Sequence, residues 1–247
     1  NDDNIPLFMY YEDHEGFKYK DMIKLINEDP YKFKYTYLPS DHQSMRDDDP
    51  NVIGHSFKIN NYKMEKDTNS ISDIRKGLYK ANTIALDVVR KNFKETVFEY
   101  KQNTFNRIND NRFIQAPSEI SGECHRSLIM DKSSHDSDSL FTGGFLGFFT
   151  ENPKVHKKVE YHNRSKSFKT QIQNKILNVV VPGNDELNVG MLVNFSFPQA
   201  STTMESETVE DKYMSGKYLI TKIRNNLNLN KQIMYTSLEC IKDTEIL

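Results

Sequence analysis

The sequence predicts an α+β protein that is predominantly antiparallel β. A small C-terminal β-barrel is preceded by a helical connector and a mixed α/β region. Three observations carry this expectation. Residues 175–242 hold four short β-branched or alternating runs separated by turn residues at close spacing. Residues 31–38 (YKFKYTYL) set Tyr31, Phe33, Tyr35 and Tyr37 against Lys32, Lys34 and Thr36, the pattern of a strand with one packed and one wet face. Residues 156–174 lack that alternation and follow Pro153, a residue suited to a first helical turn. The expected division is 1–105 as a mixed α+β region, 106–152 as a polar loop with an apolar-aromatic insertion, and 153–247 as connector plus barrel.

Taken in order, residues 7–11 (LFMYY) read as a strand, Asp13 to Gly16 as a turn, and Phe17 and Tyr19 as two rings on one face of the returning strand. Asp21 caps a short helix through Asn27 whose apolar side is Met22, Ile23 and Ile26, and Pro30 follows its end. Residues 41–51 are a polar loop, and a strand is expected around 56–59. Ser72 or Asp73 caps a helix through Tyr79, with Gly77 weakening it by about 1 kcal/mol relative to Ala. Residues 83–91 and 96–100 read as strands. Residues 107–139 are polar and aperiodic, and so long a loop points to a function or to ordering by a partner.

Residues 140–149 (LFTGGFLGFF) hold Phe141, Phe145, Phe148 and Phe149, a candidate interface whose competing reading is packing within the chain. Gly143, Gly144 and Gly147 make this stretch a poor helix. In the connector helix, Tyr161, Phe168 and Ile172 form a sparse apolar stripe beside a solvated basic face of Lys157, Lys158, Arg164, Lys166 and Lys169. The barrel strands are expected at 176–181, 192–197, 218–223 and 233–240. Gly183 and Gly190 free the backbone at strand corners, Pro198 ends a strand, and Gly216 permits a bulge or close approach. Residues 225–231 are expected as a polar hairpin tip.

Composition narrows the function classes. The 247 residues suffice for one large or two small domains, but only 36% are hydrophobic and the mean hydropathy is −0.72. Thirteen Tyr and fifteen Phe with no Trp favour strands and half-buried interfaces over a large aliphatic core. A net charge of −2 gives no bulk attraction for nucleic acid, so the aromatic–lysine alternation of 31–38 is read as a one-sided strand. No run approaches the roughly 20 apolar residues of a membrane span, and no secretory signal is visible. Because the chain starts at Asn1, a fragment or processed product is expected. Cys124 and Cys240 are expected as reduced thiols.

No catalytic or metal-site pattern stands out. Cys124, His125, His135, Asp136 and Asp138 lack metal-ligand spacing, and Glu12, Asp13, His14 and Glu15 read as solvated turn charges. The expectation is a non-enzyme with neither cofactor nor metal.

Three blocks in order resemble one known family. They are FMYYEDHEGFKYKDMIKLI followed by YKFKYTYLP; the segment carrying Gly77, Tyr79, Leu86 and Asp87 and then Tyr100 and Phe105; and VPGNDELNVG, VNFSFP, DKYMSGKYLITKIRNNL and YTSLECIKD, which include Tyr218. Together they resemble the baseplate central hub of contractile-tailed, T-even-type bacteriophages, a family distantly related to type VI secretion spike proteins. The resemblance implies a tube-type barrel and a homotrimeric ring in the virion, assembled in the host cytoplasm. It also implies partners: the cell-puncturing tail spike, the tail tube initiator and the baseplate wedge proteins. Catalysis is not implied, since lysozyme activity in such machines belongs to the spike. The competing class is a small β-barrel module binding glycan or single-stranded nucleic acid.

Overall fold

The computed structural model describes residues 7–37, 57–87, 92–100, 108–109, 125–131, 153–199, 210–230 and 232–243. In chain order the elements are β1 (Phe8–Asp13), β2 (Gly16–Asp21), α1 (Met22–Ile26), β3 (Lys34–Thr36), β4 (Asn61–Lys66), α2 (Ser70–Lys76), β5 (Lys80–Asp87), β6 (Asn92–Glu99), β7 (His125–Asp131), α3 (Pro153–Ile172), β8 (Lys175–Pro182), β9 (Leu192–Ser196), β10 (Gly216–Asn228) and β11 (Ile233–Lys242). The protein is β-rich. By compactness it divides into two units, Asn69–Thr104 with Gln115–Thr170, and Leu7–Thr68 with Phe105–Ile114 and Gln171–Leu247. This is a different division from one at 105 and 152, because N-terminal strands complete the C-terminal sheet.

That sheet runs β3-β9-β10-β11-β8-β4. All its pairs are antiparallel except β3 on β9. The four C-terminal strands leave the edges of β8 and β9 unpaired, and β4 and β3 satisfy them. Ladder irregularities at Ile220/Lys222 and Met64/Lys66 bend the strands, so the sheet curls into a half-barrel. Among the described residues its two ends meet at a bridge, where Thr36 N donates to Phe57 O and Ile59 N donates to Thr36 O, both at 2.9 Å. The expected closed barrel is therefore not shown among the described residues, and β3, three residues long, carries no full closing ladder.

The core fills the concave side. Leu177, Val179 and Val181 from β8 meet Val193, Phe195 and Phe197, with Tyr35, Ile59, Tyr218, Ile220, Leu238 and Cys240. Alternation along β8 and β9 follows the period of two read in the sequence. Burying such side chains contributes about 1.5–3 kcal/mol each. Buried Tyr218 keeps its hydroxyl satisfied by donating to Met214 O at 2.5 Å.

The other unit is a smaller three-stranded sheet, β6-β5-β7. β5 pairs antiparallel with β6 along its whole length and parallel with β7 over Ala81–Asp87. The segment expected as featureless thus contains a strand, His125–Asp131, whose Leu128, Ile129 and Met130 form the apolar run within it. On α3, Asn163 and Ser167 are buried beside Phe168 and Ile172, while Tyr161 is exposed. Thr83 Oγ1 donates to Asn163 Oδ1 at 2.7 Å, and Ser167 Oγ donates to Leu78 O at 2.6 Å. A helix held partly by polar contacts shows no clean apolar stripe in its sequence.

Local signals fix the short helices. Asp21 caps α1, accepting from Ile23 N at 2.9 Å. α2 is capped by Asn69, upstream of the expected Ser72 or Asp73, and its side chain accepts from Ser72 N at 3.0 Å. It stops at Gly77 with φ of 83°, so this glycine terminates the helix and does not sit inside it.

Candidate interaction surfaces

The β1–β2 hairpin sets two faces in opposite roles. Registers Tyr10↔Tyr19 and Glu12↔Phe17 place Phe8, Tyr10, Glu12, Phe17 and Tyr19 on one face. The rings are 46%, 66%, 68% and 67% exposed for Phe8, Tyr10, Phe17 and Tyr19. They stack in diagonal pairs, Phe8 with Tyr19 at 4.7 Å and Tyr10 with Phe17 at 5.7 Å. The opposite face anchors the hairpin. Tyr11 lies so close to Gly190 that a Cβ there would stand 2.9 Å from the ring Cζ, and Gly190 has φ of 87°. His14 Nδ1 lies 3.1 Å from Asn188 Oδ1. Lys18 ties together Asp13 and Glu15, holding the Glu15 carboxyl below its usual range.

A second surface is the outer part of β10–β11. β9 pairs with β10 only over Gly216–Leu219, and β8 reaches β11 only as far as Tyr235. The pair Asn228↔Ile233 and the tip past it therefore extend beyond both neighbours, while at Leu227↔Met234 the Met234 carbonyl still accepts from Gly183 N at 2.9 Å. Strand alternation puts Leu227 on the same face as Ile223, which packs against the core. Leu227 is 65% exposed, and Leu229, in the turn just past β10, is 76% exposed. Sequence reasoning missed this by reading 225–231 as a polar tip. The signal was present in the alternation of leucine with Asn226, Asn228 and Asn230.

A third surface, in the smaller unit, is the face of β6-β5-β7 bearing exposed Ile84, Phe93, Val97 and Leu128.

A polar cluster braces one turn of the half-barrel. Asn184 Nδ2 donates to the hydroxyls of Tyr31 and Tyr35 at 3.0 and 2.9 Å, and Asn184 Oδ1 accepts from Glu186 N at 2.9 Å. Tyr31 Oη donates to Glu186 Oε2 at 2.6 Å, and Lys32 lies 3.2 Å from the same carboxylate. Burial first, then this carboxylate, pushes the Tyr31 phenol up to about 12. The Tyr31 hydroxyl and then Lys32 hold Glu186 below the usual carboxylate range.

The described residues among those singled out in the sequence are divided between the two units. Tyr79 is buried in the smaller unit, and Asp87 ends β5 opposite Asn92. Gly183 does not take a positive φ. It is needed because Met234 lies where its side chain would be, with Cγ 2.5 Å from a built Cβ. Gly216 has φ of 128° at the start of β10, and Pro198 bridges Glu210 just past β9. Phe105, Phe141, Phe145, Phe148, Phe149, Cys124, His135, Asp136 and Asp138 lie outside the described residues. Among the described residues no cluster of three or more His, Cys, Asp or Glu is placed to hold a metal ion. Cys240 is fully buried, and burial pushes its thiol far above the ordinary range, which disfavours a nucleophilic thiolate. No described helix is long and apolar enough to cross a membrane.

No family model matches the sequence, and no curated protein matches it. Among solved structures, the crystal structure of the tail protein from Neisseria meningitidis MC58 is similar over 96% of this chain and 50% of that one, at 10% identity and a TM-score of 0.41. The chain spans about half the length of that structure, and a likeness at this level carries no function across.

Proposed function

We propose that the chain is a structural protein of a phage tail, the central hub of the baseplate. It works as a ring-forming homotrimer that links the tail tube to the cell-puncturing spike. The sequence basis is the three ordered blocks resembling hub proteins. The structural observation that supports the reading is the exposed aromatic face of β1–β2, four stacked rings left open while its other face is anchored at Gly190. A solvent-exposed patch of this kind marks contact with another macromolecule. The chain has no catalytic role in this reading. Its further partners are the tube initiator and the wedge proteins, and it resides in the virion after assembly in the host cytoplasm.

Native mass by light scattering tests this, followed by capture of the co-expressed spike protein. A trimer that retains the spike is the expected result. A chain that stays monomeric at micromolar concentration and ignores the spike fails the proposal. The same four rings then favour the second reading, a module that stacks glycan rings, to be screened with oligosaccharides.

A further inference from the structure

We propose that α3 is a releasable clasp of the smaller unit: residues 161–170 part from β5 while the ladders of β5 stay closed. The inference stands apart from the hub reading and does not depend on it.

The make-up of the buried face carries the inference. Between Tyr161 and Ile172 the buried side chains are polar at Asn163, Ser167, Thr170 and Gln171, and apolar only at Phe168 and Ile172. Asn163, Ser167 and Gln171 stand four residues apart, so they form one line along the helix. That line makes few bonds for its burial. Thr83 Oγ1 donates to Asn163 Oδ1 and therefore accepts from Ser127 Oγ, both at 2.7 Å. The chain of bonds thus runs from β7 through β5 to α3 and stops, since Asn163 Nδ2 has no partner among the described residues. Turning that amide over would pair its nitrogen with Thr83 and strand its oxygen instead. Thr170 Oγ1 donates within its own helix, to Lys166 O at 2.9 Å. Both amide atoms of Gln171 are buried without a partner among the described residues. Ser167, bonded to Leu78 O, is the one member of the line whose hydroxyl is satisfied by the body of the unit.

A buried polar group left unbonded is destabilising, and a half-satisfied polar network holds an element less firmly than apolar packing does. In water Asn163 and Gln171 gain the bonds that the closed state denies them. β5 is held differently, by backbone ladders on both sides over Ala81–Asp87. Opening at α3 therefore costs less than opening at β5.

Hydrogen exchange of the full chain, read by mass spectrometry, tests this. Amides of 161–170 are expected to exchange about tenfold or more faster than those of β5. Thr83→Val with Asn163→Leu replaces the bonded pair by apolar side chains of similar size. It is expected to slow exchange in 161–170 by about tenfold and to leave β8 unchanged. Gln171→Met is close in volume, removes both unbonded atoms and is expected to act in the same direction. If the double variant melts below the wild type, Gln171→Met alone decides. Equal wild-type rates in 161–170 and 80–87 mean that the smaller unit opens as a whole, and they overturn the clasp. Exchange in 161–170 that is as fast in the deciding variant as in the wild type, or faster, overturns the role of the polar face.

Discussion

In the half-barrel, Phe195 stands 6.1 Å from Tyr35 and 5.3 Å from Tyr218, and all three rings are fully buried. On the hairpin, Phe8 and Tyr19 approach more closely, at 4.7 Å, yet each keeps about half or more of its surface in water. Ring contact is therefore not the same thing as burial. The barrel rings are enclosed because aliphatic side chains from β8, β10 and β11 close over them. The hairpin has only two strands, and its anchored side is the one carrying Tyr11. A two-stranded ribbon is marginal alone in water, so this one depends on what its faces touch.

Removing one ring from each region sharpens the contrast. Phe195→Ala is expected to cost about 3–5 kcal/mol, because the rigid surroundings of a core ring leave a cavity. Urea unfolding of the half-barrel reads this directly. Phe17→Ala is expected to change stability by less than about 0.5 kcal/mol, as at other exposed positions. Equal costs in the two melts would show that the hairpin rings are part of the folding core, and the comparison would break.

The half-barrel was legible where the period of two coincided with one-sided burial. Val193, Phe195 and Phe197 share an apolar face in the sequence and a buried face in the structure. In residues 31–37 the pattern holds in part: Tyr31 and Tyr35 are buried and Lys32 and Lys34 exposed, but Phe33 is exposed too, because only Lys34–Thr36 form a strand and residues 32–33 bend. Which partners complete the sheet was not legible, because β3 and β4 join β9 and β8 across more than a hundred residues. Nor was the fate of the hairpin face. Alternation says that a strand has two unlike sides, and it does not say which side meets water. Phe8, Tyr10, Phe17 and Tyr19 have the composition of a core face and are exposed. Leu227 and Leu229 were hidden by their asparagine neighbours.

The anchor between the two regions gives a smaller effect. Gly190→Ala forces a Cβ residue to hold φ of 87° and sets its methyl against the Tyr11 ring. The left-handed backbone alone costs about 1–2 kcal/mol. The Tyr11 ring is the end of a flexible side chain and can swing aside, so the contact shifts the hairpin more than it destabilises the barrel. Amide exchange is expected to quicken in residues 8–21 while β8 and β11 remain protected. Uniform acceleration through both would mean that the hairpin and half-barrel unfold together.

The smallest effect is electrostatic and concerns the turn that Asn184 braces. The carboxyl of Glu186 is held below its usual range by the Tyr31 hydroxyl and by Lys32. A depressed carboxylate stabilises the fold above its unfolded value, and that contribution is lost as pH falls through the lower, folded one. Glu186→Gln keeps an oxygen for the Tyr31 hydroxyl and removes the charge. The variant is thus expected to match the wild type in the acid limit and to fall slightly below it at neutral pH. The melting temperature should depend less on pH through the carboxylate range. On the alkaline side, Tyr31 is raised mainly by burial, so its protective contribution is intact below about 10 and is lost as pH rises through about 12. Replacing Glu186 leaves that burial in place, so the alkaline limb should move little. If the two proteins show identical acid limbs, the hydrogen bond positions Tyr31 without linking the turn to pH. A larger change at alkaline than at acid pH would instead make the carboxylate the chief cause of the raised phenol.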